Sequence, residues 1–349
     1  MNKIKVLVVE DSAFFRQMLS QIISEDEEIE VIGTAIDPIF AMEKIMRNPP
    51  DVITLDVEMP RMDGLTFLEK LMKSYPIPVI MVSSWTQKGC KTTLKALELG
   101  AVDFIAKPER NNLTEIKHEI IAKIKNAARV NLNLLGKKHN EQQHKEMVGN
   151  PNLEEGRVKS GIHHKVVAIG ASTGGVIAVN NIIDKLKPAG YSILITLHMP
   201  SGFTKSFAQR LNQVNGWQSS EAVAGQPVKP DHIYVAPGGL NMTVEKRNGS
   251  LVAEVKPCEP EDIYKPNVNK TFASMAKNVG TGAIGVILTG MGDDGAKGLL
   301  MMKQAGSVTI AQNEETCMVF GMPKRAIEVG AVDYVVPLNH IAGKIMTLI

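Results

Sequence analysis

Short runs of aliphatic and β-branched residues recur along this chain, each followed by a stretch with helical spacing. That rhythm is the strongest constraint the sequence carries. A buried strand followed by a helix returns to its sheet in parallel, so repeated strand–helix units build parallel sheets covered by helices. Strands are expected at Lys5–Val9, Glu30–Ala35, Val52–Leu55, Val79–Ser83 and Ala101–Ala106. Helices are expected at Ala13–Ser24, Ile39–Arg47, Gly64–Lys73, Gly89–Leu99 and Leu113–Val130. The alternation breaks once, from about Asn126 to His164, where Lys, His, Asn, Glu and Gln dominate and few apolar residues could form a core face. Such a stretch reads as a solvated tether. The chain is therefore expected to hold two α/β domains, over 1–125 and 165–349, joined by a polar linker over 126–164.

With 349 residues, each domain can bury a core of its own. A net charge of +2 points to neither nucleic acid nor a membrane surface. No apolar run reaches the length of about 18 residues that a membrane span needs, so no membrane insertion is expected. Met1-Asn2-Lys3 leads straight into a strand with no small-residue cleavage site, which argues against a signal peptide. Three widely spaced cysteines, Cys90, Cys258 and Cys317, make neither a disulfide framework nor a zinc site. A cytoplasmic location is expected.

In an open parallel sheet the functional crevice lies beyond the carboxyl ends of the strands. In the first domain those ends carry Glu10 and Asp11, Asp56, Ser83 and Lys107. Three carboxylates, a hydroxyl and an ammonium thus converge at one edge. Clustered carboxylates repel unless a cation shares the site. Mg²⁺ fits, because it prefers a few carboxylates together with waters and a phosphate oxygen. Lys107 then offers a fixed positive charge to an added phosphoryl group.

Val6-Leu7-Val8-Val9-Glu10-Asp11-Ser12, Asp56-Val57-Glu58-Met59-Pro60-Arg61-Met62-Asp63-Gly64, Val82-Ser83-Ser84 and Lys107-Pro108 together resemble the receiver domain of two-component response regulators. The resemblance covers roughly residues 3–125 and implies a flavodoxin-like fold with a parallel five-stranded sheet. It implies that Asp56 is the phosphorylated residue, that Asp11 and Asp56 ligate Mg²⁺, and that Glu10 acts beside them. It also implies Ser83 as the switch hydroxyl, Phe104 as the switch aromatic and Lys107 as the site's cation. Glu10 stands where the family commonly has aspartate.

The second domain opens on Val166-Val167-Ala168-Ile169-Gly170-Ala171-Ser172-Thr173-Gly174-Gly175. An apolar run ending in Gly170, with a serine two residues on and glycines before a helix, matches the G-x-S-x-G elbow that lifts a hydroxyl clear of its own backbone. Dinucleotide binding is the weaker reading, since G-x-G-x-x-G needs glycine where Ser172 stands. A nucleophilic serine needs a base, and histidine serves at neutral pH. His118 lies in the first domain, and His139, His144, His163 and His164 lie in or beside the linker. His340 opens a terminal helix and His232 follows a Pro-Asp turn. His198 instead ends the run Tyr191–Leu197 and is the candidate base. A third strand breaks into Gly290-Met291-Gly292-Asp293-Asp294-Gly295. Either aspartate could accept the histidine's other N–H, and the glycines leave backbone N–H groups free for an oxyanion. Basic and acidic residues balance from Val166 onward and the pattern is strand–helix, so a DNA-binding output is disfavoured.

Ile169–Gly175, His198-Met199-Pro200, Val235-Ala236-Pro237-Gly238-Gly239, Leu288–Gly295 and Phe320-Gly321-Met322-Pro323 resemble the protein-glutamate methylesterase family of bacterial chemotaxis (CheB). Its members join a receiver to a serine hydrolase domain. The resemblance implies a doubly wound, mostly parallel α/β esterase domain with no cofactor of its own. It implies the triad Ser172, His198 and Asp294, an oxyanion contact from the Met291 amide, Thr173 at the serine's flank, and Phe203 and Arg210 around the cleft. Methyl-accepting chemotaxis receptors are the implied substrates, a chemotaxis histidine kinase the phosphodonor, and glutamine deamidation a second activity. Two stretches depart from the family: Asn241 stands in place of a histidine, and Lys265-Pro266-Asn267-Val268-Asn269 in place of Arg-Pro-Ser-Val-Asp. Lysine lacks arginine's two-pronged contact, so specificity is where a difference is expected.

Overall fold

The structure, a computed structural model, describes residues 3–84, 86–107, 113–130, 164–212 and 214–349, with side chains from Lys117 onward in the stretch beginning at 113. The chain divides into two compact units, Met1–Asn140 and Glu141–Ile349.

In the first unit, β1 (Ile4–Val9), α1 (Ala13–Ser24), β2 (Ile29–Ala35), α2 (Pro38–Arg47), β3 (Val52–Asp56), α3 (Gly64–Ser74), β4 (Val79–Ser83), α4 (Gln87–Glu98), β5 (Asp103–Ala106) and α5 (Leu113–Ala127) alternate without exception. The five strands pair in parallel in the order β2-β1-β3-β4-β5. Val6, Leu7, Val8 and Val9 are each at most 1 % exposed, as a parallel strand covered on both faces requires. Burying each such side chain stabilises the fold by about 1.5–3 kcal/mol. Helix starts are fixed locally. Asp37 accepts from the Ile39 and Phe40 amides with Pro38 in the first turn, and Asp63 accepts from Thr66 N. β5 begins at Asp103, since Ala101 and Val102 only lead into it. Ile120, Ile124 and Ala127 continue one apolar face of α5, and Val130 is still buried. The packed chain therefore runs past residue 125 into the stretch expected to be tether. Residues 131–163 of that stretch lie outside the described residues.

The second unit contains β6 (Val166–Ala171), α6 (Gly175–Ile183), β7 (Ser192–Leu197), α7 (Phe203–Leu211), β8 (Gln218–Glu221), β9 (Gln226–Pro227), β10 (His232–Val235), β11 (Leu240–Arg247), β12 (Ser250–Pro257), α8 (Val268–Asn278), β13 (Ala283–Ile287), α9 (Ala296–Gln304), β14 (Val308–Gln312), α10 (Met322–Glu328), β15 (Tyr334–Val336) and α11 (Leu338–Met346). Seven strands form an all-parallel sheet in the order β15-β14-β13-β6-β7-β10-β8. The antiparallel strands β11 and β12, with β9, make a small separate sheet. Among the described residues no helix is long and apolar enough to cross a membrane.

β6 is where the large sheet reverses direction. The chain moves from β6 to β7 on one side and later returns to β13 on the other. Such a switch point opens a crevice at the carboxyl ends of the two strands. α8 lies across this place, and a Cβ at Gly170 would collide with Val268 Cγ1 and crowd Phe272. Gly170→Ala is therefore expected to lift α8 from β6 and cost about 1–3 kcal/mol, the usual penalty of overpacking a filled core. A lower urea midpoint would register it, and an unchanged midpoint would mean that α8 is not seated on the strand.

Candidate functional site

Three neighbouring strands, β13, β6 and β7, deliver the candidate residues. Gly170 pairs with Ile287 on one side and Thr196 on the other, and Ala171 pairs with Leu197. The next residue on β6 is Ser172, and the next on β7 is His198. Ser172 N donates to Thr289 O at 3.0 Å, and His198 N donates to Ala171 O at 3.2 Å. Backbone ladders thus place serine and histidine side by side, on strands about 4.8 Å apart.

Asp294, in the loop after β13, is 1 % exposed. Its carboxylate accepts from His198 Nε2 at 2.8 Å, from the amides of Val268 and Asn269 at 2.7 and 2.9 Å, and from its neighbour Gly295 N at 2.9 Å. The two α8 amides belong to a helix start, whose free N–H groups and dipole favour a negative charge. Asp293 is exposed, so the geometry separates two aspartates that residue pattern alone left equivalent. With Nε2 on the carboxylate, Nδ1 is buried without a hydrogen-bond partner among the described residues. Nδ1 is the nitrogen available to take a proton.

The Tyr264 ring stacks on His198, with centroids 4.4 Å apart and planes 6° from parallel. Nothing in the sequence marked this tyrosine, which sits in a polar loop far from the histidine in the chain. The remaining expected residues are distributed as follows. Thr173 is buried, and its carbonyl accepts from Thr289 Oγ1 at 3.0 Å. Met291 is 39 % exposed beside Asp294 in the same loop. Phe203 is wholly buried at the start of α7, and Arg210 lies about 10 Å further along that helix. Asn241 is buried and holds Asp262 through Nδ2 at 2.7 Å, while its Oδ1 accepts from Asn267 N at 2.9 Å. Asn267 caps α8, and Asn269 Oδ1 accepts from Gly298 N at 2.7 Å. Asn241, Asn267 and Asn269 therefore tie down the start of α8. Cys317 is buried, and burial pushes its thiol far above the range of a nucleophile.

In the first unit Glu10, Asp11 and Asp56 each offer an oxygen within 4.8 Å of the others. Glu10 and Asp56 are buried and Asp11 is exposed. Lys107 Nζ lies 3.0 Å from Glu10 Oε1 and 2.9 Å from Asp56 Oδ2. Burial, with Asp56 adding to it, pushes the Glu10 carboxyl up to about 7. Burial raises Asp56 as well, against the pull of Lys107. Burial alone would depress Lys107, but Asp56 and Glu10 outweigh it and hold the ammonium above its ordinary value. Two buried carboxylates thus share one cation, and an all-oxygen donor set with excess negative charge suits a hard divalent ion. Ser83 is fully buried next to them, and its carbonyl accepts from Lys107 N at 2.7 Å. Phe104 is buried on β5, with Lys123 Nζ 5.0 Å from its ring centre.

Fold and site together define a hydrolase domain on a parallel α/β sheet, joined to a receiver-type domain with an acidic cluster. The family model "CheB methylesterase" matches residues 167–345, and the model "Response regulator receiver domain" matches residues 6–118. The chain belongs to the CheB methylesterase family. A relative from Chromohalobacter salexigens, named protein-glutamate methylesterase/protein-glutamine glutaminase, is 47% identical over 99% of this chain and 96% of its own. One of the same name from Salmonella typhimurium is 45% identical over 100% of this chain and 98% of its own. The crystal structure of the Thermotoga maritima CheB methylesterase catalytic domain covers 53% of this chain and 99% of its own, with 40% identity and a TM-score of 0.50.

The acidic cluster has a pH signature. An unfolded glutamate ionises near 4.5, while Glu10 in the folded chain holds its proton up to about 7. Stability from this group is fully present below pH 4.5 and is lost as the pH rises through 7. In a metal chelator the urea midpoint is expected to fall across that window, and Glu10→Gln to flatten the fall. A variant with the wild-type slope would rule out Glu10 as its source.

Proposed function

We propose that this chain is a phosphorylation-activated serine esterase that removes methyl groups from glutamyl methyl esters on chemotaxis receptors and also deamidates glutamines there. The observation that carries the catalytic reading is the 2.8 Å bond from His198 Nε2 to Asp294, formed where β7 ends beside Ser172. Names shared by relatives along the whole chain support the substrate class.

In this reading the Ser172 hydroxyl attacks the ester carbonyl as His198 Nδ1 takes its proton. Asp294 keeps the Nε2 proton in place and balances the imidazolium that forms. The negative oxygen of the tetrahedral intermediate is met by the Met291 amide, in a glycine-rich loop where N–H groups are accessible. Collapse expels methanol, protonated by His198, and leaves an acyl-serine. Water then adds, gives its proton to His198, and releases the glutamate carboxylate and the free serine. On glutamine the leaving group is ammonia and the other steps are unchanged.

The donor set of the first domain fits Mg²⁺, which Glu10, Asp11 and Asp56 would hold and which, when bound, supplies positive charge beside a phosphoryl group. Asp56 accepts that group from a chemotaxis histidine kinase, Lys107 pairs with its oxygens, and Ser83 and Phe104 reorient in response. The receiver, packed as far as Val130, restrains the esterase domain over 165–349 until Asp56 is modified. All of this takes place in the cytoplasm, where receptor methyl-accepting segments and the kinase would be reached.

Methanol release from methylated receptor membranes, with and without acetyl phosphate, tests both parts. Ser172→Ala and His198→Gln are each expected to lower the rate by at least about a thousand-fold, as in other triads. A Ser172→Ala protein hydrolysing at a near-normal rate would overturn the mechanism. Asp56→Asn is expected to show one rate with and without the phosphodonor; activation equal to wild type would overturn the gating.

A further inference from the structure

A hydrogen bond from Nε2 to Asp294 fixes one atom of the His198 ring but not the ring's plane. Rotation about that bond would swing Nδ1 away from the neighbouring serine while leaving the carboxylate contact intact. Something else must hold the plane, and the Tyr264 ring lies flat against it, 4.4 Å away and 6° from parallel. The tyrosine is held at both ends. At its hydroxyl end, Gly292 has φ 82°, and a Cβ there would collide with Tyr264 Oη. At its backbone end it belongs to the strap between β12 and α8, which Asp262 anchors. Asp262 is buried and accepts from Asn241 Nδ2 at 2.7 Å, Lys270 Nζ at 2.8 Å and Glu259 N at 2.9 Å. Its pKa is lowered because these bonds outweigh burial, so the anchor stays charged at neutral pH. Burial, with Asp293 and Asp294 adding to it, pushes the Tyr264 phenol up, so the ring stays neutral beside the carboxylate.

We propose that Tyr264 is a positioning residue for His198: its ring face sets the imidazole plane so that Nδ1 is presented to Ser172 while Nε2 stays on Asp294. The strap delivers both halves of the clamp, since it runs directly into the α8 amides that hold Asp294. An aromatic face also attracts the imidazolium more than the neutral ring, and that preference is felt only as the reaction proceeds. The inference rests on the triad reading above.

The test uses the full-length protein with acetyl phosphate and methylated receptor membranes. Tyr264→Ala is expected to lower kcat about ten-fold with KM nearly unchanged, the size of one cation–π or stacking contact. Tyr264→Phe, which keeps the ring face, is expected to restore most of the rate. Asp262→Ala, which frees the strap without touching the histidine, is expected to lower kcat in the same direction. Long-range proton–nitrogen NMR, with the His198 signal assigned through His198→Gln, supplies a readout that a purely structural role would not move. Wild type is expected to show one sharp set of His198 signals protonated on Nε2, and Tyr264→Ala the same Nε2 protonation with signals broadened by exchange between ring orientations. Unchanged kcat and unbroadened His198 signals in Tyr264→Ala would overturn the inference, as would a Phe variant as impaired as Ala. An inactive Ser172→Ala beside an unimpaired Tyr264→Ala sinks only this inference, whereas an active Ser172→Ala sinks the triad itself.

Discussion

One carboxylate ties the proposed catalytic histidine of the second unit to the fold around it. Asp294 is almost wholly buried, and a buried charge of this kind is tolerable only when its lone pairs are met by donors. Four N–H groups meet it, from His198, Val268, Asn269 and Gly295. Through them the end of β7, the start of α8 and the loop after β13 converge on one pair of oxygens. The position of the histidine, the seating of α8 on Gly170 and the geometry of the glycine loop all follow from that convergence.

The two units use the same parallel-sheet edge in opposite electrical states. At the second, the negative charge is fully matched by fixed backbone donors and one imidazole, which keeps the geometry constant. At the first, Glu10 and Asp56 face a single ammonium, and burial raises both carboxyl groups. Charge there is left unbalanced, so an arriving cation or phosphoryl group changes the local energetics strongly. A rigid site suits bond-making, and an unbalanced one suits signalling.

Much of this was legible in the residues. The β-branched runs located every strand of the first sheet to within a residue or two, because parallel strands buried on both faces tolerate little else. Ser172 and His198 could be paired from sequence since each ends an apolar run, and strand ends in a parallel sheet share one edge. The choice between Asp293 and Asp294 was not legible from residue pattern, because it depends on which side chain turns inward beneath α8. Tyr264 escaped notice for a related reason. Its loop, Glu259-Pro260-Glu261-Asp262-Ile263-Tyr264, has no periodicity, and its contact with His198 is made by topology. The antiparallel pair β11 and β12 was also unforeseen, since its alternating pattern lies between parallel-type strands and suggested no separate sheet.

The shared carboxylate has a cost in adaptability. Because Asp294 closes the helix start as well as holding the imidazole, a substitution that loosens the seat of His198 also frays α8, and one that frays α8 loosens that seat. In the proposed mechanism, turnover and thermal tolerance are thereby tied to the same few bonds. A lineage of such enzymes could not drift toward a softer, more permissive active centre without first finding new caps for that helix.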